Sequence, residues 1–160
     1  MKFLIVVALI AVAISGLPNA WGQSCSCPVG WTRFNTDCYQ YFCALKTWED
    51  AQNACEAHGA NLVSIHSDCE NAFAYDLIDS CSPETDYGFA WIGYSQPSGT
   101  DFEWSDGSPT GYTYWASGQP DNYNHGYATE DCAHFRNDPD GSWNDFPCDR
   151  ELGYICKKAI

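Results

Sequence analysis

Positive charge is scarce in this sequence: seven Lys and Arg residues stand against 21 Asp and Glu, for a formal net charge of −14. No nucleic acid and no anionic membrane surface is therefore an expected partner, since both are polyanions. A run of apolar residues long enough to cross a bilayer is also missing. The longest stretch, from Phe3 to Ile14, is interrupted afterwards by Gly16, Pro18 and Asn19, and a spanning helix needs about 20 apolar residues. With Lys2 ahead of it and small residues at Ala20 and Gly22, the stretch predicts a signal peptide over residues 1–22, cleaved before Gln23. The product is expected to be secreted and extracellular, with no membrane insertion. Removing residues 1–22 takes away Lys2 and no acid, so residues 23–160 carry −15.

Other absences narrow the function. There is no Asn-x-Ser/Thr sequon, so N-glycosylation is not expected. No Gly-x-Ser-x-Gly elbow, His-Glu-x-x-His or phosphate loop occurs, so the chain is not expected to be an enzyme. With 21 acids, pairs of carboxylates spaced for glycoside cleavage arise by number alone. His58, His66, His125 and His134 show none of the paired spacing with Cys that a zinc site requires. Internal repeats and low-complexity tracts are absent.

What is present is cysteine and aromatic side chains. Ten cysteines, at 25, 27, 38, 43, 55, 69, 81, 132, 148 and 156, read in an oxidising compartment as a disulfide framework. Residues 23–160 form one domain of a size that buries a core. The segment Cys38-Tyr39-Gln40-Tyr41-Phe42 is rich in strand formers. Thr47 is placed to cap a helix carrying Trp48, Ala51, Ala54 and Cys55 at helical spacing, stopped at Gly59. Leu62 to Ile65 reads as a strand. Ser67 and Glu70 form a capping box that opens a second helix, from Asp68 to about Asp79, with Phe73, Leu77 and Ile78 as its buried face. Over that helix, Cys69 and Cys81 stand about 18 Å apart at ~1.5 Å per residue, too far for a bridge unless the helix ends early. After Pro83 come short strands: Phe89 to Tyr94, Phe102 to Trp104, Cys132 to Phe135, Ser142 to Asp145 and Gly153 to Lys157. The order argues an α+β domain.

Between Trp104 and Cys132 lie 27 residues rich in Gly, Pro, Ser and Asn. Loops of this length inside a domain are usually functional or disordered; Tyr112, Tyr114, Trp115, Tyr123 and Tyr127 argue against disorder. Gln119-Pro120-Asp121 ends the stretch, Glu130 follows, and Trp143-Asn144-Asp145 precedes Cys148. Each alone reads as a plain turn. Together Gln119, Asp121, Glu130, Asn144 and Asp145 offer a set of side-chain oxygens, and calcium takes about 6–8 oxygen ligands at ~2.3–2.6 Å. Magnesium, which gives up its waters reluctantly, suits such a set less well.

With Trp91-Ile92-Gly93-Tyr94, Tyr154-Ile155-Cys156 and Cys27-Pro28-Val29-Gly30-Trp31 added, the sequence resembles the C-type lectin-like superfamily over essentially all of residues 23–160. The resemblance implies two helices with small antiparallel sheets and a long calcium-binding loop. It implies disulfides Cys27–Cys38, which marks the extra hairpin of the long-form domain, Cys55–Cys156 and Cys132–Cys148. It further implies calcium held by Gln119, Asp121, Glu130, Asn144 and Asp145, a cis peptide before Pro120, and carbohydrate as partner. Gln-Pro-Asp is the order of galactose-type members, with an aromatic two residues on for stacking; that place is filled by Tyr123, whose alternative reading is an exposed loop residue. The glycine-rich segment that steadies the aromatic in galactose binders is missing, since residues 124–129 contain only Gly126. Asn122, Glu130 and Asp131 fall where some ligands of a second calcium lie, but Ser95 to Gly99 carries no carboxylate, and that second site is expected to be weak or empty. Cys25 either links two chains into a homodimer or oligomer or closes a further bridge within one chain. An extracellular matrix or biomineral-associated role without sugar binding is the alternative that the acidic composition keeps open.

Overall fold

The computed structural model describes residues 26–78, 89–99, 101–123, 126 and 128–160. The signal-peptide expectation, Cys25, Cys81 and Tyr127 fall outside them. Alternation builds the sheet. In β8, Leu152–Ala159, Tyr154 and Cys156 join one buried cluster and Ile155 the other. In β4, Ala90–Ser95, Trp91 turns to one side and Ile92 and Tyr94 to the other. Successive side chains of a strand point to opposite faces, so both strands are covered on both sides and run at the centre of the sheet.

The remaining strands are β1 (Thr32–Phe34), β2 (Asp37–Lys46), β3 (Asn61–Leu62), β5 (Glu103–Trp104), β6 (Cys132–Phe135) and β7 (Trp143–Phe146). Their order is β1-β2-β8-β4-β6-β7, with β3 against β8 and β5 against β4. All pairs are antiparallel except β4 with β8. The expected strand at Leu62 to Ile65 is shorter than its apolar run suggests. Val63, Ser64 and Ile65 are buried without being strand, although the Val63 amide still donates to the Ile155 carbonyl at 2.8 Å. Gly93 makes the approach of this segment feasible: a Cβ there would stand 2.7 Å from the Leu62 carbonyl oxygen.

Helix α1 spans Trp48–Ala57, and the Thr47 side chain accepts from the Asp50 amide. It lays Ala51 and Cys55 against β8, where Cys55 is bridged to Cys156 with a Cα separation of 5.4 Å. Helix α2 spans Asp68–Asp76, with Ser67 accepting from the Glu70 amide. It stops short of Asp79 because the chain turns off at Leu77, its C-cap, and buries Ile78 in the larger cluster. The buried face differs from the apolar reading as well: Glu70, Asn71 and Ala74 are buried, while Phe73 and Leu77 are only partly so.

Glu70 explains that difference. One carboxylate oxygen accepts from Tyr39 Oη and Lys157 Nζ, both at 2.6 Å, and the other from the His66 amide at 2.9 Å. Burial pushes the Glu70 pKa up, but these hydrogen bonds and the Lys157 charge outweigh it and hold the carboxyl below the usual carboxylate range. Cys27–Cys38 and Cys132–Cys148 are bridged at Cα separations of 5.5 and 5.2 Å. Cys43 is also disulfide-bonded, and Cys69 is exposed and unbridged.

Lys157→Met strips the buried carboxylate of its charge partner and should lower unfolding stability by about 3–5 kcal/mol in denaturant titrations. Because the folded pKa of Glu70 is depressed, its contribution is present above the unfolded carboxylate value and fades as pH falls through the folded one; acidification should therefore destabilise the wild type more than Glu70→Gln. Non-reducing peptide mapping should recover Cys27–Cys38, Cys55–Cys156 and Cys132–Cys148, and opening Cys55–Cys156 should cost about 4–5 kcal/mol in the chain-entropy account. A Cys132–Cys156 link would contradict the fold.

Candidate metal and ligand site

The long segment 105–131 is held by what it touches. Trp143 is fully buried, and its Nε1 donates to Asn71 Oδ1 of α2 at 2.7 Å. Its backbone amide donates to the Tyr114 carbonyl at 2.8 Å, and its carbonyl accepts from the Ala116 amide at 2.9 Å. The Gln119 amide then donates to the Ala116 carbonyl at 2.9 Å, a turn that leads into the cis peptide between Gln119 and Pro120. Tyr112 packs edge-on against Trp143 and donates to Asp68. The segment is thus pinned to β7 and α2 just ahead of the candidate residues.

Asp121, Glu130 and Asp145 converge: one carboxylate oxygen from each lies within 4.8 Å of the others. Asp145 is fully buried, Glu130 is buried and Asp121 is exposed. The Asp145 carboxylate accepts from the amides of Asp121 at 3.3 Å and Asn122 at 2.7 Å. Burial raises its pKa, with the neighbouring Asp121 charge adding to the rise, and the backbone amides only partly offset this. Glu130 accepts from the Tyr123 amide at 3.0 Å. Three like charges gathered around oxygen-only donors, one of them desolvated, suit a hard cation.

The two amides are placed differently. Gln119 Oε1 accepts from the Asp121 amide at 2.9 Å. Asn144 pairs across the hairpin with His134 in register, on the face of β7 opposite to Asp145. Its Nδ2 donates to the Asp145 carbonyl and lies 3.4 Å from His134 Nε2. His134 is buried, which pushes its pKa down to about 4 and keeps the ring neutral. Nδ1 faces the Phe135 carbonyl at 2.6 Å and serves as donor there, leaving Nε2 to accept. His134 did not emerge from the sequence, where it counted only as a rejected zinc ligand; its place two residues past Cys132, on the Asn144 face, was the available signal. Tyr123 is 61% exposed, with its amide fixed by Asp121 and Glu130. Of the residues expected near a second cation, Asn122 Oδ1 accepts from the Glu130 amide and Asp131 from the Thr129 hydroxyl. Among the described residues the Asp121, Glu130 and Asp145 group is the one such cluster.

Residues 44–158 match the family described as the Lectin C-type domain. The chain belongs to the C-type lectin family. Over 165 residues it is 38% identical to the alpha-N-acetylgalactosamine-specific lectin of Patiria pectinifera, with 95% of each chain covered. Among solved structures it resembles the C-type lectin CEL-I from Cucumaria echinata at a TM-score of 0.70 and 38% identity, over 82% of this chain and 96% of that one. It also resembles a calcium-independent type II antifreeze protein at a TM-score of 0.72 and 29% identity, over 84% and 95%. Membership of the C-type lectin family therefore fixes the scaffold, and the residues at the loop decide the use. No helix among the described residues is long and apolar enough to cross a membrane.

In chelator, Asp145→Asn should melt within about 1 kcal/mol of the wild type or above it, because the substitution removes a desolvated charge beside two others. A loss of several kilocalories in thermal melts would show that the two backbone hydrogen bonds outweigh the charge.

Proposed function

We propose that the chain is a secreted, calcium-dependent carbohydrate-binding protein that takes galactose or N-acetylgalactosamine. Gln119, Asp121, Glu130, Asn144 and Asp145 form its site. The observation that carries this reading is the convergence of Asp121 and Glu130 on a buried Asp145, with Gln119 tied to the Asp121 amide. Calcium bound there supplies coordination positions that neighbouring sugar hydroxyls fill. The chain's own groups then read the sugar. Carboxylates accept hydrogen bonds from the hydroxyls, the Gln119 amide nitrogen donates to a hydroxyl oxygen, and Asn144 does the same by giving up its contact with His134 Nε2. With the amide at Gln119 and the acid at Asp121, donor and acceptor sides follow the galactose-type order. Exposed Tyr123, its backbone held by two of the carboxylates, is placed to stack on an apolar sugar face. The name of the Patiria pectinifera relative supports the same sugar class. The carboxylates lie in one cluster tied to backbone amides, which supports binding and not catalysis.

The strong negative charge favours a second reading, a matrix or mineral-associated role, and the antifreeze neighbour is a member of the same fold described as calcium-independent. Calcium decides between them. At one hundred times its dissociation constant, calcium should add about 2.7 kcal/mol of stability, reversed by chelator; no binding at millimolar calcium would remove the lectin reading and promote the matrix one. Specificity has its own test. Gln119→Glu with Asp121→Asn keeps the oxygen donors and the formal charge, so calcium should stay bound, while mispaired hydroxyls cost about 1–3 kcal/mol, or one to two orders of magnitude in affinity. The double variant should move from galactose to mannose columns, and Tyr123→Ala should weaken galactose alone. A wild type that holds mannose and ignores galactose would overturn the sugar assignment.

A further inference from the structure

Gln119 and Asn144 do more than flank the carboxylates. They form one wall of a cavity of about 340 Å³, within the range of about 300–1,000 Å³ common for small-molecule sites. Phe89, Phe146 and Leu152 line it as well, together with Arg136. His134 lies edge-on to both Phe rings, at centroid distances of 5.4 and 5.3 Å, and ties them into one aromatic floor. Nothing in the reading of the three carboxylates uses this space.

We propose that the cavity is a second subsite, which holds a neutral sugar residue glycosidically linked to the one at the calcium, so that the preferred ligand is at least a disaccharide. The inference rests on the lectin reading above. Continuity is its first support: an occupant of the cavity touches the same two amides as the first sugar, which places it within one glycosidic bond. Chemistry is the second. A pyranose has an apolar C–H face and a hydroxyl edge, and the cavity offers Phe89, Phe146 and Leu152 to the former and Arg136 with the two amides to the latter. A neutral residue is favoured over an anionic one because Arg136 Nε is already engaged by the Asp138 carboxylate at 3.3 Å. Arg136 also lines a second hollow with Tyr114 and Trp115.

Isothermal titration in calcium buffer, with galactose, lactose and melibiose as probes, tests this. At least one disaccharide should bind about tenfold more tightly than galactose. Arg136 is partly exposed, so Arg136→Ala and the cavity-filling Arg136→Trp should both fold, with melting curves as the check. Both should bring the disaccharide down towards the galactose value while leaving galactose and calcium affinity unchanged. The subsite is refuted if neither disaccharide exceeds galactose by twofold in the wild type, or if the advantage survives whichever variants fold. Galactose binding without any disaccharide gain removes the subsite alone; no galactose binding by the wild type removes the lectin reading and the subsite with it.

Discussion

Burial of one indole organises the part of this molecule that matters for binding. Trp143 sits at zero exposure, and a buried N–H without an acceptor is costly. The acceptor it finds is Asn71 on α2, 72 residues earlier in the chain. That bond fixes β7 against the helix, and the backbone of Trp143 fixes residues 114–116. Asn144 and Asp145 follow immediately, and Gln119 lies one turn beyond the clasp. Both ends of the candidate site are therefore located from a single residue that belongs to neither.

A second constraint keeps the helix itself in place. Glu70 is buried, and it is tolerated there because a lysine, a tyrosine and a backbone amide converge on it. Lys157 also reaches the Ser64 carbonyl, and Ser64 donates to Asp106 at the start of the long segment. The acidic groups of this chain thus divide by environment. Glu70 is compensated within the protein; Asp145 is desolvated beside like charge and has backbone amides for partners. The second arrangement is the one that leaves work for a cation.

Much of this was legible in the sequence, and the reasons differ from element to element. Thr47 and Ser67 announced both helices because a capping hydroxyl has a local cause. Cys132 to Phe135 was read with its correct ends because a disulfide and a fully apolar face bounded it. Val63 to Ile65 was taken for strand because buried coil and buried strand share the same apolar run. The early end of α2 at Asp76 depended on where Ile78 could be buried, which no local signal carries. Of the five residues expected as ligands, the three acids converge while the two amides line a cavity, and for Asn144 and Asp145 that division follows from the register of β6 on β7. Register is a tertiary fact: Asn144 and Asp145 face opposite ways in any strand, and pairing His134 with Asn144, instead of its neighbour, decides which of the two shares the His134 face.

Asn71 accepts from Trp143 through Oδ1 and, through Nδ2, donates to the Gly141 carbonyl at 3.1 Å. The two partners have opposite polarity, so the position is read like one edge of a base pair. Aspartate supplies no donor, leucine supplies neither group, and a flipped amide meets a donor with a donor. Gly141 itself adopts a positive φ with the Tyr75 ring 2.6 Å from where a Cβ would be. The turn from 136 to 142 is therefore not an ordinary variable loop. Its length and composition are free to drift only in so far as they still deliver one carbonyl oxygen to one amide nitrogen on the far side of the core.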